Sequence, residues 1–382
     1  MFEASGLMRQ ANKAALAEAV WTAANGKDLP SPQLTDVKHI LDGGSLLHRL
    51  PWPRGETFGG ICDLYANFVI RHYGMPTIVF DGYDLGPSTK DMAHLRRSGG
   101  VVGTPVNFTP DMRVSQKKEQ FLANSINKRE DADLLVLVCF HADINSENIF
   151  FKSDAKLKTK KHKVWHIQAV QRALGMETCK MLPFIHALTG CDTTSRLFGV
   201  GKGAAFKKVR DKQIVEAAAT FERSTASPDD VECAGHQALV CLYNGEPGGS
   251  LDVLRHRKFC EKLTTAAVQV HTLPPTTAAA RYHSLRVYLQ LQQWTQGDCH
   301  LRPKDWGWSL RDGRLEPRLC DLPPALDMLL RVVRCNCTRD CETRRWSCKK
   351  YGLPYSPACG NCRGVICANS PALSLLGFTE EL

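Results

Sequence analysis

The pattern of hydrophobic and polar residues predicts alternating strands and helices in the first part of the chain. Residues 38–41 form a short apolar run typical of a strand, and residues 57–72 have apolar positions at helical spacing. A second run, rich in β-branched residues, follows at 77–80. Strand, helix and strand at this spacing are typical of a parallel sheet flanked by helices. The pattern therefore predicts an α/β fold.

The remaining pattern is mainly helical. Residues 134–140 are an apolar run that fits a strand or a helix equally well. The pattern predicts helices or strands in six further segments: 1–26 (helix), 148–152 (strand), 167–174, 179–188, 202–221 and 273–294 (helices). Asp312-Gly313 lies between alternating residues, which predicts a β-hairpin. Residues 224–228 are rich in turn-forming residues and indicate a boundary between segments.

The composition is that of an ordinary globular protein. The chain has 382 residues, of which 43% are hydrophobic and 23% are charged. This length accommodates two or three domains. No apolar run approaches the ~20 residues that a membrane-spanning helix needs. The first residues also lack the layout of a secretory signal. We therefore expect no membrane association and a cytosolic or nuclear protein.

Positive charge is concentrated in two segments of the chain. The formal net charge is +10, and residues 331–367 carry eight Lys or Arg residues against two acidic ones. A second basic run spans residues 156–163. Such clusters favour polyanions through the release of counterions, although many basic stretches are only solvated surface. DNA is therefore one expected partner.

The cysteines are also unevenly distributed. Sixteen are present, and nine of them are scattered singly, as expected for buried small hydrophobic residues. The other seven form a cluster: Cys335, Cys337, Cys341, Cys348, Cys359, Cys362 and Cys367. Thiolates this close together in a chain without a secretory signal argue for a bound metal rather than for disulfides. Zn²⁺ is the expected ion, since it takes four thiolate or imidazole ligands.

The cysteine cluster resembles the tesmin-like CXC domain, most closely in the segment GLPYSPACGNCRGVICAN. The resemblance implies a zinc-thiolate module that binds DNA. Two family cysteines are replaced here, by Trp346 and Tyr355. Seven thiolates can complete two tetrahedral sites if one sulfur bridges. The expected DNA contacts of this module are its basic residues Arg344, Arg345, Lys349 and Lys350. A zinc-stabilised module without a DNA role is the alternative.

Several carboxylates follow the predicted strands. Asp42 and Asp81 each come directly after an apolar run. Carboxylates at the C-terminal ends of parallel strands converge on one crevice, where they can hold a divalent cation. Asp131, Asp133 and Asp192 are candidates to join that group. Each of them also has a simpler interpretation, as a turn or capping residue.

The segments around these carboxylates resemble the PIN-like and flap-endonuclease superfamily. The segments that carry the resemblance are ILDGGSLLHR, VFDGYDLGPSTKDMAHLRR, DADLLVL, TGCD and FGVGKGAAFKKV, in the family's order. The resemblance implies a nuclease that uses Mg²⁺ or Mn²⁺. The metal ligands that it implies are Asp42, Asp81, Asp131, Asp133 and Asp192.

The same resemblance implies residues that contact DNA. Lys90, Arg96 and Arg97 lie where the family places basic residues against substrate phosphates. The loop with Gly199, Gly201 and Lys202 matches the hairpin of a helix–two-turn–helix element, whose backbone N–H groups contact a DNA strand.

One departure from the family bears on catalysis. The family has a strand and a helix with further acidic ligands just before the Asp131-Ala-Asp133 element, but here Glu130 is followed at once by Asp131. We therefore consider two functions. One is a DNA-binding zinc protein with an impaired metal-dependent nuclease fold. The other is a non-enzymatic, transposon-derived DNA-binding or interaction protein.

The chain as a whole resembles transposon-associated invertebrate proteins with a PIN-like core and a CXC tail. We expect a nuclear protein with five segments. They are an N-terminal helical extension (1–36), a PIN-like domain (37–222), a helical region with the hairpin (223–330), a CXC zinc domain (331–370) and a tail (371–382).

Overall fold

The computed structural model describes residues 1–2, 7–24, 38–79, 87–90, 109–115, 117–118, 134–145, 149–152, 164–263, 270–296 and 299–320. Within these ranges the protein is mixed α/β, mostly helical, with three small two-stranded sheets. None of the described helices combines the length and the hydropathy that crossing a membrane requires.

The helices and strands lie in the order in which they are numbered here. The helices are α1 (Ala14–Ala23), α2 (Gly43–Arg49), α3 (Phe58–Tyr73), α4 (Leu134–His141), α5 (Ile167–Leu174), α6 (Met176–Leu188), α7 (Lys202–Lys207), α8 (Lys212–Glu222), α9 (Pro228–Leu242), α10 (Leu251–Leu263) and α11 (Thr277–Thr295). The strands are β1 (Ile40–Asp42), β2 (Thr77–Val79), β3 (Phe150–Lys152), β4 (Val164–His166), β5 (Trp308–Arg311) and β6 (Arg314–Pro317).

The first unit is the predicted strand, helix and strand. β1 and β2 pair in parallel, with Asp42 opposite Val79, and the connection between them contains α2 and α3. Thr57 begins α3, because its hydroxyl oxygen accepts a hydrogen bond from Gly60 N. Phe58 then packs against Leu47, Trp52 and Val114 in a small core of its own. The parallel pair is confirmed, whereas a wider PIN-like sheet stays a prediction.

A second core forms around the apolar run at residues 134–140. The run is the helix α4, so the open choice between strand and helix is decided for the helix. α4 packs with α1, α5 and α6 around the buried ring of Trp165. Trp165 lies in β4, which pairs with β3 in an antiparallel direction.

The largest core surrounds α11. Helices α6 to α9 and the hairpin β5–β6 all contribute buried side chains to it. α8 and α9 belong to the same core, so the predicted segment boundary at residue 222 falls inside it. Residues 224–227 form the turn that leads into α9, where Ser227 and Asp230 make a capping box.

The hairpin β5–β6 has the predicted two-residue turn. Asp312 and Gly313 have φ values of 49° and 73°, as a type I′ turn requires. Trp308 is 1% exposed and Trp306 is 7% exposed. Both rings are packed into the core, which agrees with the interpretation of these residues as hairpin packing rather than base-stacking platforms.

The middle of α11, residues 282–292, is buried on every side and carries polar residues. His283 Nε2 lies 2.9 Å from the carbonyl oxygen of Leu188, at the end of α6. Arg286 Nη1 donates to the carbonyl oxygens of Gly307 and Arg318, both at 3.0 Å. These bonds attach α6 and the hairpin to the central helix.

We expect His283→Gln to flatten the pH dependence of stability. Burial lowers the pKa of His283 to about 3 from an ordinary value of 6.5. As the pH falls, the imidazole ring of His283 is protonated in the unfolded chain before it is protonated in the folded protein. The stability that the neutral ring contributes is complete above pH 6.5 and is lost as the pH falls towards 3. The loss amounts to about 2 kcal/mol between pH 6.5 and pH 5.

Urea unfolding of the wild type and of His283→Gln at about pH 7 and about pH 5 measures this difference. Glutamine can still donate to the Leu188 carbonyl oxygen, so the variant removes the titration and keeps the bond. Equal losses of unfolding free energy in both proteins would contradict the prediction.

Candidate functional site

Asp42 lies at the carboxyl end of β1, as the sequence predicts. Its Oδ1 accepts hydrogen bonds from Gly44 N at 2.8 Å and Ser45 N at 3.1 Å, so the carboxylate caps α2. The register pairs Asp42 with Val79. Asp81 comes two residues later in the chain, and it lies outside the described residues, as do Asp131 and Asp133.

Asp192 lies in the turn after α6. Its Oδ1 is 2.9 Å from Lys13 Nζ, and the two side chains are 8% and 18% exposed. Lys13 directly precedes α1, so the ion pair joins the start of that helix to the turn. Asp192 is therefore a structural ion-pair partner in this structure. Sequence reasoning missed Lys13, because nothing in the pattern relates residue 13 to residue 192.

A buried network of hydroxyl groups fixes the turn that carries Asp192. Thr193 Oγ1 donates to Gln290 Oε1 at 2.5 Å. Thr194 Oγ1 donates to the carbonyl oxygen of Ala187 at 2.6 Å, and it accepts from Cys191 N at 2.9 Å. Because the flanking residues are bonded to α6 and α11, the turn is firmly attached to the main core. The run Thr193-Thr194-Ser195 was the available sequence signal for such a network.

The cavity next to this ion pair is too small for a substrate. It has a volume of about 30 Å³ and is lined by Lys13, His186 and apolar side chains of α1, α4 and α6. That volume suits about one water molecule. A nucleotide does not fit there.

The glycine loop before α7 lines a larger, open groove. The groove has a volume of about 830 Å³ and lies between α1, α7 and the end of α9. Gly199, with φ 74°, and Gly203 are among its lining residues. Gly199 and Gly201 are exposed, and Gly201 begins α7. Their backbone groups are accessible, as the proposed DNA contact needs.

Lys202 is placed differently from the expectation. Its side chain is 2% exposed, and Nζ donates to the His186 carbonyl oxygen at 2.7 Å and to Thr189 Oγ1 at 3.2 Å. The ammonium group thereby interacts favourably with the C-terminal end of α6, where the helix dipole is negative. The side-chain charge of Lys202 is directed into the protein, so a DNA contact by this loop stays a prediction for its backbone N–H groups.

The other expected DNA contacts are largely outside the described residues. Lys90 is half-buried, and its backbone N donates to Ser88 Oγ. The remaining basic candidates lie outside the described ranges: Arg96, Arg97, Arg344, Arg345, Lys349 and Lys350. The seven clustered cysteines lie outside them as well: Cys335, Cys337, Cys341, Cys348, Cys359, Cys362 and Cys367.

The described part of the chain contains no group of three or more His, Cys, Asp or Glu side chains that could hold a metal. Burial raises the pKa of the Cys139 thiol to about 12 and that of Cys179 to about 11. Both thiols are therefore protonated at neutral pH and behave as small hydrophobic residues. Cys62 and Cys233 are exposed, contrary to the expectation for the scattered cysteines.

No family model matches the chain, and no curated protein or solved structure is significantly similar to it. A function for the chain is therefore inferred from its own residues.

We expect Lys13→Met and Asp192→Asn each to destabilise the protein by about 2 kcal/mol, because each leaves a partly buried charge without its partner. The double variant should lose less than the sum of the two single losses, since it leaves neither charge behind. Urea unfolding of the wild type, the two single variants and the double variant at neutral pH measures these losses as a double-mutant cycle. Strictly additive losses would show that the two side chains do not interact.

Proposed function

We propose that this chain is a DNA-binding zinc protein whose α/β unit has a PIN-like nuclease fold with impaired catalysis. The observation that supports the proposal most directly is the parallel pairing of β1 with β2. In this pair, β1 ends at Asp42, and β2 ends at Val79, two residues before Asp81. Two parallel strands that are each followed by an aspartate are what the resemblance to PIN-like nucleases requires.

The described carboxylates do not fit a working pair of Mg²⁺ or Mn²⁺ ions. Asp42 Oδ1 accepts two backbone N–H bonds, and Asp192 pairs with Lys13. A two-metal centre needs several carboxylates that converge on cations about 4 Å apart. A carboxylate that is neutralised by a lysine must first lose that partner. This observation favours binding of DNA over its cleavage.

Zinc is the second part of the proposal. Cys335, Cys337, Cys341, Cys348, Cys359, Cys362 and Cys367 would hold two Zn²⁺ ions with one bridging thiolate. Basic residues lie between these cysteines in sequence, and a folded zinc module would present them together. Binding to DNA phosphates follows from that charge. A nuclear location follows from DNA as the partner.

The alternative is a non-enzymatic, transposon-derived DNA-binding or interaction protein. In the interaction protein the zinc module has no DNA role, and the full-length chain does not bind DNA.

We expect charge reversal at Arg344, Arg345 and Lys349 to weaken the binding of full-length protein to duplexes of any sequence. The slope of log K against log salt should fall by about 0.9 for every phosphate that the variant no longer neutralises. The measurement is a salt titration of DNA affinity by fluorescence anisotropy. The zinc content of the same preparations is the control, and we expect two ions in both proteins. Unchanged affinity and slope would exclude this module as the DNA-binding surface.

We expect little Mn²⁺-dependent cleavage of single-stranded or flap DNA by the wild type under conditions in which it binds DNA. The physical reason is that Asp42 and Asp192 have structural partners. The matched test is Asp42→Asn, which keeps an oxygen to cap α2 but lowers the charge. Robust cleavage by the wild type that is lost in Asp42→Asn would contradict the impaired catalysis.

A further inference from the structure

Cationic side chains surround the half-buried ring of Phe198. The guanidinium carbon of Arg9 lies 5.8 Å from the centroid of that ring, and Lys262 Nζ lies 5.6 Å from it. The ring of His271 meets it edge-on, with the centroids 5.8 Å apart. Both distances to the cations are within the range of cation–π attraction. Two separate segments of the chain thus bring positive charge to one aromatic residue, and a third segment brings the His271 ring.

Two more arginines belong to the same surface. Arg196 is exposed, and its backbone N donates to the Arg9 carbonyl oxygen at 2.8 Å. Arg255 of α10 acts electrostatically on Tyr243. The Tyr243 hydroxyl group donates to the Phe198 carbonyl oxygen at 3.0 Å. Arg9, Arg196, Arg255 and Lys262 are hereafter called the Phe198 patch.

Two arginines of the Phe198 patch bond to carbonyl oxygens, which do not neutralise their charge. Arg9 donates to the carbonyl oxygens of Phe2 and His271, and Arg255 donates to that of Pro274. Within the described ranges no carboxylate is within ion-pair distance of Arg9, Arg196 or Arg255, although the Asp252 carboxylate attracts Arg255 from a longer distance.

Two neighbouring cations on α10 have a carboxylate partner. Lys258 Nζ lies 2.9 Å from Glu261, and Arg257 lies 4.0 Å from the same carboxylate. Glu261 therefore offsets positive charge on its own side of α10.

We propose that the Phe198 patch binds backbone phosphates of DNA. The inference rests on the proposed DNA-binding function, and it adds a DNA contact that is separate from the cysteine cluster. Its cations come from the N-terminal segment, the turn after α6 and helix α10, and the arginines are spread over a surface. A small anion is bound by groups that converge on one point, whereas spread cations suit a polymer with repeating charges. Arginine also matches phosphate with two parallel hydrogen bonds.

Arg196 gives the sharpest test, because its exposed side chain can be changed without disturbing the core. We expect Arg196→Gln to lower the slope of log K against log salt for duplex DNA by about 0.9, and Arg196→Glu to lower the affinity further. Arg302→Gln is the matched control. Arg302 is 83% exposed and paired with Asp305, so the variant changes the net charge equally at another place.

The outcomes separate this inference from the proposed function. If the wild type binds DNA and the Arg196 variants match Arg302→Gln in affinity and slope, the Phe198 patch does not bind DNA and the proposed function stands. If the wild type does not bind DNA, both are overturned. The inference would also be overturned if a polyglutamate peptide bound the wild type more tightly than Arg196→Glu while the DNA affinity of the two proteins was the same. That result would identify an acidic protein segment as the ligand.

Discussion

The cost of burying polar groups on α11 governs how the main core is assembled. A buried donor or acceptor without a partner costs about 1–3 kcal/mol, so a partner inside the protein stabilises a buried polar side chain of this helix. Four such side chains have partners elsewhere in the chain: Leu188 for His283, Gly307 for Arg286, Thr193 for Gln290 and Phe221 for Gln292. Each of these bonds positions one neighbour against the central helix. A purely apolar helix of the same length would allow its neighbours to slide, because hydrophobic contact is not directional.

The need to pair buried polar groups also affects the candidate site, through Thr193 and Gln290. Their hydrogen bond holds the turn after α6 to α11, and Asp192 in that turn pairs with Lys13 at the start of α1. The pair therefore links the core around α11 with the core that α1 shares with α4. A carboxylate in this position contributes to the packing of two cores that also share α6, and recruiting it to a metal would remove that contribution. The structural role of Asp192 thus follows from where its turn is attached.

Local patterns in the sequence were sufficient for the elements whose shape is set by nearby residues. The parallel strands β1 and β2, the turn at Asp312-Gly313 and the long helix α11 were all predicted. The sequence left α4 open, because an apolar run without periodicity fits both structures, and only its packing against α1 and α5 decides for the helix. Lys202 was predicted only as part of a DNA-contacting loop, and its burial against the end of α6 had no sequence signal. The Phe198 patch had no sequence signal, since residues 9, 196, 255 and 262 come together only through tertiary packing.

Binding and cleavage of DNA make different physical demands, and the described residues meet them unequally. Binding needs positive charge that carboxylates leave exposed, as around Phe198, where two arginines bond to carbonyl oxygens. Cleavage needs the reverse, a convergence of carboxylates that cations leave free. Asp42 caps α2 and Asp192 faces Lys13, so both carboxylates already stabilise the fold. A protein can lose the second property and keep the first, because an ion pair adds stability while it occupies a possible ligand. The proposed PIN-like arrangement would then persist as a scaffold for DNA binding.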